Sequence, residues 1–546
     1  MRNVTSCSFC RDRKKRCSFA PSHTSCRECS SRGLDCSLKK QGSDVVKGIA
    51  SRHRSLISQP QQLSKSPSQP KEDDGLPYHV LDDEELRNEL VTLYFELMHD
   101  KQHLIFHPAT FMAELKAGKS PKFLVWGMAA LISRFSNHAS LSSIPRRQRG
   151  PLWLNHAADA YHSRPDAISV AALQGAILLA FAYFVEGDGP REQLLSAQAI
   201  RMVQVMRIPR TNGTDPVLYE TQVRLYWQCW MSDTWHCARD SFPRHILEDS
   251  RIAKPMAEKQ FSQLGSHLSP VTIRDGMPGI GANRDGIWTA MLPLNKIHSE
   301  VMSLNYTLLD AIFNPVEELC RVRQLANKVE EWYEALPVRL QFNQTNIAYH
   351  MQEDLGREFN VLHILYHFQS QMLYYRFLQD IPEDSTQSLN TSERALYASR
   401  CKAHAQAMSE IMWSGTIQPG MECFWSPVNG HLIVVASSVL LHTLMFDPDD
   451  QKTHQARQLL EHNFTMLLQL QEYWPSLENS MSRLKVFHKL CLSYTNSQQA
   501  FNMDRWMVRW LNKYDQPMED KDSEAEESVD LLSLVNMKVH EVMELR

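Results

Sequence analysis

The stretch CSFCRDRKKRCSFAPSHTSCRECSSRGLDC, residues 7–36, holds six of the chain's twelve cysteines. The spacing is Cys7-x2-Cys10-x6-Cys17, a gap of residues 18–25, then Cys26-x2-Cys29-x6-Cys36. One C-x2-C-x6-C unit therefore occurs twice, which predicts two similar halves related by an approximate twofold axis. Three thiolates cannot close a tetrahedral zinc site, which takes four ligands. Six thiolates do satisfy two zinc ions when two of the sulfurs bridge both metals. So small a piece offers little apolar core, with Phe9, Phe19 and Leu34 its main candidates. Zinc, worth on the order of 10 kcal/mol or more at a structural site, has to supply the folding energy. The competing arrangements are a single four-cysteine site with two spare thiols, and three disulfides in a secreted knot. The knot needs an export signal, and charged residues and cysteines stand where its apolar segment belongs. His23, between the halves, reads as a solvated loop residue.

Between Cys10 and Cys17 the first half carries RDRKKR, whereas the matching stretch of the second half is SSRGLD. If both are short helices, only the first is built to meet a polyanion. At helical spacing Arg11, Lys14 and Lys15 share one side, and Arg13 and Arg16 lie one turn apart beside it. Lys or Arg reaching guanine O6 and N7 is the commonest specific base contact, and neighbouring cations hold phosphates. The same positive charge favours ionised thiolates. A bare basic run is also the composition of a nuclear-import signal.

These residues resemble the signature of the fungal Zn2Cys6 binuclear-cluster transcription factors: C-x2-C-x6-C, a loop, and C-x2-C-x6-C with basic residues before the third cysteine. All six cysteines fit it. The resemblance implies two structural Zn2+ held by Cys7, Cys10, Cys17, Cys26, Cys29 and Cys36, with Cys7 and Cys26 bridging. It implies a helix over 11–16 that enters the major groove of double-stranded DNA and reads CGG-like triplets, with Lys14 the base-reading lysine and Arg13 its neighbour. Many members place a proline two residues before the fourth cysteine, where this chain has Thr24, and Pro21 lies in a longer loop. The function implied is sequence-specific regulation of transcription by RNA polymerase II, in the nucleus. The alternative is a protein-interaction or ligand-sensing co-regulator whose zinc cluster is only structural.

Outward from the cluster, the chain of 546 residues, 43% hydrophobic with a net charge of −4, has the composition of a globular protein with more than one structural unit. The near-neutral total hides a basic start and an acidic end, MEDKDSEAEESVD over 518–530. The other cysteines (Cys229, Cys237, Cys320, Cys401, Cys423, Cys491) are scattered and read as small hydrophobes. The apolar run VAALQGAILLAFAYFV, 170–185, is shorter than the roughly 20 residues a spanning helix needs and reads as a buried helix. No membrane partner is expected.

Residues 41–80, rich in Ser, Gln, Pro and Lys, form a disordered linker by composition. Ile49, Leu56 and Leu63 recur every seven residues, as in a zipper, but the companion positions would be Val46, His53 and Pro60. Proline there breaks a helix, which leaves monomer and homodimer both open.

From Leu81 the texture turns helical. LDDEELRNELVTLYFELM offers Asp82 as N-cap with Glu85 three residues on, then Leu86, Leu90, Leu93, Tyr94 and Leu97 at helical spacing. Further helices are expected near 121–135, 168–185, 190–207, 217–238, 290–312, 315–335, 355–379, 393–413, 430–446, 453–473 and 480–500, with loops around 241–290 and 381–392. LYFELMHDKQHLIFHPATF (93–111), SAQAIRMVQVMRIPR (196–210) and ETQVRLYWQCWMSD (220–233) resemble the fungal-specific transcription factor domain over about 85–250. Glu220, Arg224 and Asp233 then form a buried polar network with a structural role.

Nothing pushes toward an enzyme. HLIFH (103–107) and HILYH (363–367) place histidines four apart but lack the glutamate of H-E-x-x-H, and GIGANRDG (279–286) reads as a mobile loop. Leu531, Leu532, Leu534 and Val535 follow the acidic block, so 520–535 is a candidate contact for coactivators. The chain as a whole reads as mainly α: a Zn2Cys6 DNA-binding domain over 1–40, a linker over 41–80, a large all-helical regulatory domain over 81–515 and an acidic tail over 516–546.

Overall fold

The computed structural model describes residues 7, 9, 10, 26, 29 and 32, and the chain from 83 to 518 except 100–103, 167, 211–214, 241, 266–271, 275–276, 281–282, 310–314, 380–390, 423–425, 498–500 and 514–517. The basic residues Arg11, Arg13, Lys14, Lys15 and Arg16, the thiols Cys17 and Cys36, the stretch 41–80 and the tail 520–535 lie outside the described residues. Contacts divide the chain into two compact units, Met1–Leu81 and Asp82–Arg546.

The second unit is a body of helices. The first, α1 (Glu84–Leu97), starts one residue later than the capping pattern suggests. Asp83, not Asp82, is the N-cap, and its carboxylate accepts from the N–H groups of Glu85 and Leu86 at 3.0 and 3.1 Å. Its inward stripe is Leu86, Leu90, Val91 and Tyr94, with Leu93 and Leu97 only half-buried. Short helix α2 (Pro108–Lys116) follows, with Pro108 in the first turn, where its missing N–H costs nothing. His107 caps it by accepting the Thr110 N–H. Helices α3 (Lys122–Ile132) and α4 (Gly150–His162) pack as a pair, and α5 (Val170–Val185) packs against both. A Cβ on Gly175 would lie 2.7 Å from the Phe123 ring, so glycine permits that approach. The apolar run 170–185 is thus a buried core helix.

Helices α6 (Gly189–Met206) and α7 (Pro216–Asp240) complete this part. After the short α8 (Glu258–Ser262) comes a two-stranded antiparallel hairpin, β1 (Thr272–Arg274) with β2 (Met277–Ile280). It qualifies the all-helical expectation, and it claims the first residues of GIGANRDG, which reads as a loop in sequence. Helices α9 (Ile287–Tyr306), α10 (Pro315–Glu334), α11 (Gln344–Gln352), α12 (Gly356–Tyr374), α13 (Thr391–Ile417), α14 (Val428–Phe446), α15 (Asp450–Gln471), α16 (Leu477–Ser497) and α17 (Arg505–Asn512) form the rest. Among the described residues, α14 alone is long and apolar enough to cross a membrane, and 83% of that window is buried inside the body against α13, α15 and α16.

Buried polar anchors join distant parts of this body. Arg134, fully buried, donates to the Tyr473 carbonyl at 3.0 Å, pairs with Glu186 at 2.6 Å and lies over the Trp474 ring. Gly150 makes room for it, because a Cβ there would sit 1.8 Å from Arg134 Nη2. Arg376 pairs with Glu318 and donates to the Leu304 carbonyl at 2.8 Å and to Asn305 Oδ1 at 3.0 Å.

Candidate functional site

In the amino-terminal unit the four described cysteines are buried together, with Phe9 packed against them. Cys7 Sγ lies 3.8 Å from Cys26 Sγ and 3.7 Å from Cys29 Sγ, and Cys10 Sγ lies 3.7 Å from Cys26 Sγ. A disulfide requires about 2.05 Å, and none of the four is so joined. A tetrahedral zinc with Zn–S bonds of about 2.3 Å has sulfur–sulfur edges of about 3.8 Å. The observed spacings match that edge.

The arrangement is also pairwise symmetric. The Cys10 N–H donates to Cys7 Sγ at 3.4 Å, and the Cys29 N–H donates to Cys26 Sγ at the same distance. Cys7 and Cys26 are mutual neighbours, Cys10 lies against Cys26, and Cys29 lies against Cys7. Cys7 and Cys26 therefore occupy the middle of the group, where a shared edge between two tetrahedra belongs. Burial alone would raise the Cys7 thiol, but the Cys10 N–H and the adjacent thiols outweigh it and hold Cys7 below its ordinary value. Cys26 is lowered in the same balance, burial against the Cys29 N–H and its neighbours. Cys29 is pushed up, by burial first and then by Cys26 and Cys7. Crowded sulfurs that resist ionising together are the electrostatic setting a divalent cation relieves. The donor set fits zinc. Of the eleven residues the sequence singles out, Cys7, Cys10, Cys26 and Cys29 are thus brought together.

The body uses its conspicuous polar residues structurally. Glu220, Arg224 and Asp233 on α7 are all buried. Glu220 Oε1 accepts the Met256 N–H at 2.6 Å while Arg224 Nη2 donates to the Met256 carbonyl at 2.7 Å, so one helix holds both backbone polar groups of a single residue. Arg284 adds a contact of 3.2 Å to Glu220 Oε2, and the Arg224 guanidinium lies 3.9 Å over the Phe261 ring. Asp233 Oδ2 accepts the backbone N–H groups of His245 and Ile246 at 2.8 and 2.9 Å. The network ties a loop to its helix. Asp233, Cys237 and His245 have metal-like proximity, but the Asp233 oxygens are already occupied by those amides, the His245 ring and the Cys237 thiol.

Among the described residues, His363 and His367 make no joint site. His103 lies outside the described residues, and His107 is a helix cap. His363 Nε2 bonds the Leu340 carbonyl at 3.0 Å, while His367 Nδ1 meets His404 Nδ1 at 2.9 Å.

Residues 91–334 match the fungal specific transcription factor domain. That match runs from within α1 to the end of α10, so the helices from α11 onward extend the same unit beyond it. The chain is 23% identical over 440 residues to an uncharacterized transcriptional regulatory protein of Schizosaccharomyces pombe, covering 72% of this chain and 51% of that one. It is 24% identical over 310 residues to a Zn(2)-C6 fungal-type transcription factor of Fusarium oxysporum f. sp. lycopersici, covering 52% of this chain and 33% of that one. A second S. pombe transcriptional regulatory protein is 22% identical over 310 residues, 52% of this chain and 31% of the relative. The chain thus spans about half, or less, of the length of these relatives. The domain match and the names of the relatives support a fungal transcription regulator, and they are those of transcription factors rather than of enzymes.

Proposed function

We propose that the protein is a nuclear, sequence-specific DNA-binding regulator of transcription, whose amino-terminal unit is a binuclear zinc cluster. The observation that carries this reading is the sulfur spacing: thiols of both repeats at 3.7–3.8 Å, arranged with the symmetry of the doubled motif. Cys7, Cys10, Cys17, Cys26, Cys29 and Cys36 would hold two Zn2+, with Cys7 and Cys26 shared. The metal ions supply folding energy to a unit that has almost no apolar core.

The protein's own residues do the reading. A metal-stapled backbone fixes the stretch 11–16, so its cations meet DNA in one orientation. Lys14, with Arg13 beside it, reads guanine edges of CGG-like triplets, and Arg11, Lys15 and Arg16 hold phosphates. Relatives named Zn(2)-C6 transcription factors support the assignment. The helical body carries the regulatory role, and the segment 520–535 suits coactivator contact.

The test is selection from random duplexes by the zinc-loaded full chain. Enrichment of CGG-like triplets, with affinity falling on a log–log salt slope of about −0.9 per phosphate contacted, is the expected result. Enrichment of no sequence would overturn the reading and leave a co-regulator with a structural metal. The same selection gives half-site spacing, and with it the choice between monomer and homodimer.

A further inference from the structure

The body holds an open-mouthed cavity of about 220 Å³ that none of the preceding contacts uses. It is larger than the ~150 Å³ that accommodates benzene in an engineered protein core. Residues of α5, α6, α7, α9, α12 and α14 line it, so it joins the matched domain to the helices beyond it. The wall is mostly apolar, with Phe181, Trp235, Trp288 and Leu432 supplying large faces. Several lining side chains, Ser232 and Val361 among them, are only half-buried, which gives the cavity a mouth.

One pole of the wall is polar. Glu192 is 3% exposed, an unusual place for a carboxylate. Its Oε1 accepts from Ser196 Oγ at 3.1 Å and meets His236 Nε2. Its Oε2 makes no hydrogen bond, and the nearest Arg239 nitrogen is 3.9 Å away. A buried acceptor left without a donor is costly, by about 1–3 kcal/mol. The Arg239 guanidinium already answers the charge of the carboxylate, so what is missing is a donor, not another cation.

We propose that this cavity is a binding site for a small, largely apolar molecule bearing a hydroxyl or amide N–H, which donates to the Glu192 carboxylate. Apolar walls with one convergent polar group are the usual make-up of such sites. A ligand there would bridge six helices and stabilise the body by mass action. The inference does not depend on the DNA reading and is tested without DNA.

The experiment titrates the full chain with 2-naphthol, naphthalene and 2-naphthoate, following probe fluorescence and the thermal midpoint. Saturable binding of one 2-naphthol per chain is expected, with naphthalene, which lacks the donor, and 2-naphthoate, which adds a repelled charge, each weaker by about tenfold or more. Ser232→Leu fills the mouth without removing a buried polar partner and should cut 2-naphthol binding by at least about tenfold. Val361→Phe does the same from another helix, should Ser232→Leu prove misfolded by circular dichroism. No saturable binding of 2-naphthol, equal binding of naphthalene, or binding indifferent to the mouth-filling substitution in a folded variant would each overturn the proposal.

Discussion

The amino-terminal unit and the helical body solve the same problem by opposite means. Cys7, Cys10, Cys26 and Cys29 are buried against one another with Phe9 as their apolar companion, so what holds them is sulfur chemistry. The body buries whole helices such as α5 and α14, then fixes its loops with cations and carboxylates that grip backbone groups, as Glu220 and Arg224 grip Met256. The difference teaches where each unit is vulnerable. On the proposed function, the first should fail when its zinc is withdrawn; the second should fail when a buried charge loses its partner.

Chelation is the sharpest way to separate them. Zinc removal should unfold the amino-terminal unit, withdrawing on the order of 10 kcal/mol, and abolish specific DNA binding. The helical signal of the body in circular dichroism should stay nearly unchanged. A body that melted alongside would break the comparison.

Arg224→Leu attacks the other mechanism. It takes the buried cation from beside Glu220, leaving only the half-buried Arg284, and leaves the Met256 carbonyl without its donor, so the body should lose about 3–5 kcal/mol in denaturant unfolding. The zinc content should not move. A loss below about 1 kcal/mol would mean that the grip on Met256 is incidental.

Acid should reach the body through its buried histidines. Burial pushes His298 and His363 down to about 4, against the hydrogen bonds their rings donate to Gln369 Oε1 and to the Leu340 carbonyl, which work the other way. Above pH ~6.5 these rings are neutral whether the chain is folded or not. Between pH ~6.5 and ~4 the unfolded chain binds protons that the folded one refuses. Stability should therefore fall by about 1.4 kcal/mol per pH unit for each such histidine, and level off below ~4. Thermal midpoints at pH 7.5 and 5.5 check it, and equal values would contradict the buried, neutral state. His298→Gln should flatten the slope.

Two smaller effects sharpen the contrast further. Lys14→Ala should weaken specific DNA binding by about 1–3 kcal/mol and relax base choice, leaving the body's melting untouched. Equal losses on cognate and random duplexes would place Lys14 on phosphate instead. Asp83→Ala removes the cap of α1 and should cost about 1 kcal/mol in the body alone.

What sequence made legible follows the same division. The cysteine count and spacing point to thiols gathered at one place, and Cys7, Cys10, Cys26 and Cys29 are gathered there, because ligand chemistry is written in residue identity. Long periodic helices were equally readable: α5, α6 and α7 lie within a few residues of where their apolar spacing puts them. Helices of eight or nine residues, such as α2, α11 and α17, escape because so few turns establish no period. The hairpin β1–β2 sits in Gly- and Pro-containing sequence with no alternation to mark it. Glu220, Arg224 and Asp233 were recognisable as a network, but their partners were not. Those partners are backbone groups of Met256, His245 and Ile246, and a backbone amide has no signature in sequence. The Glu192 cavity was invisible for a related reason, since six helices contribute to its wall.

The central claim is that two zinc ions share six thiols at the amino terminus. Elemental analysis of the purified full chain combined with zinc X-ray absorption tests it most directly. Two zinc ions per chain, each bound only to sulfur at about 2.3 Å, is the predicted result. One zinc or none, nitrogen in the metal's first coordination shell, or disulfides among Cys7, Cys10, Cys26 and Cys29 would contradict it.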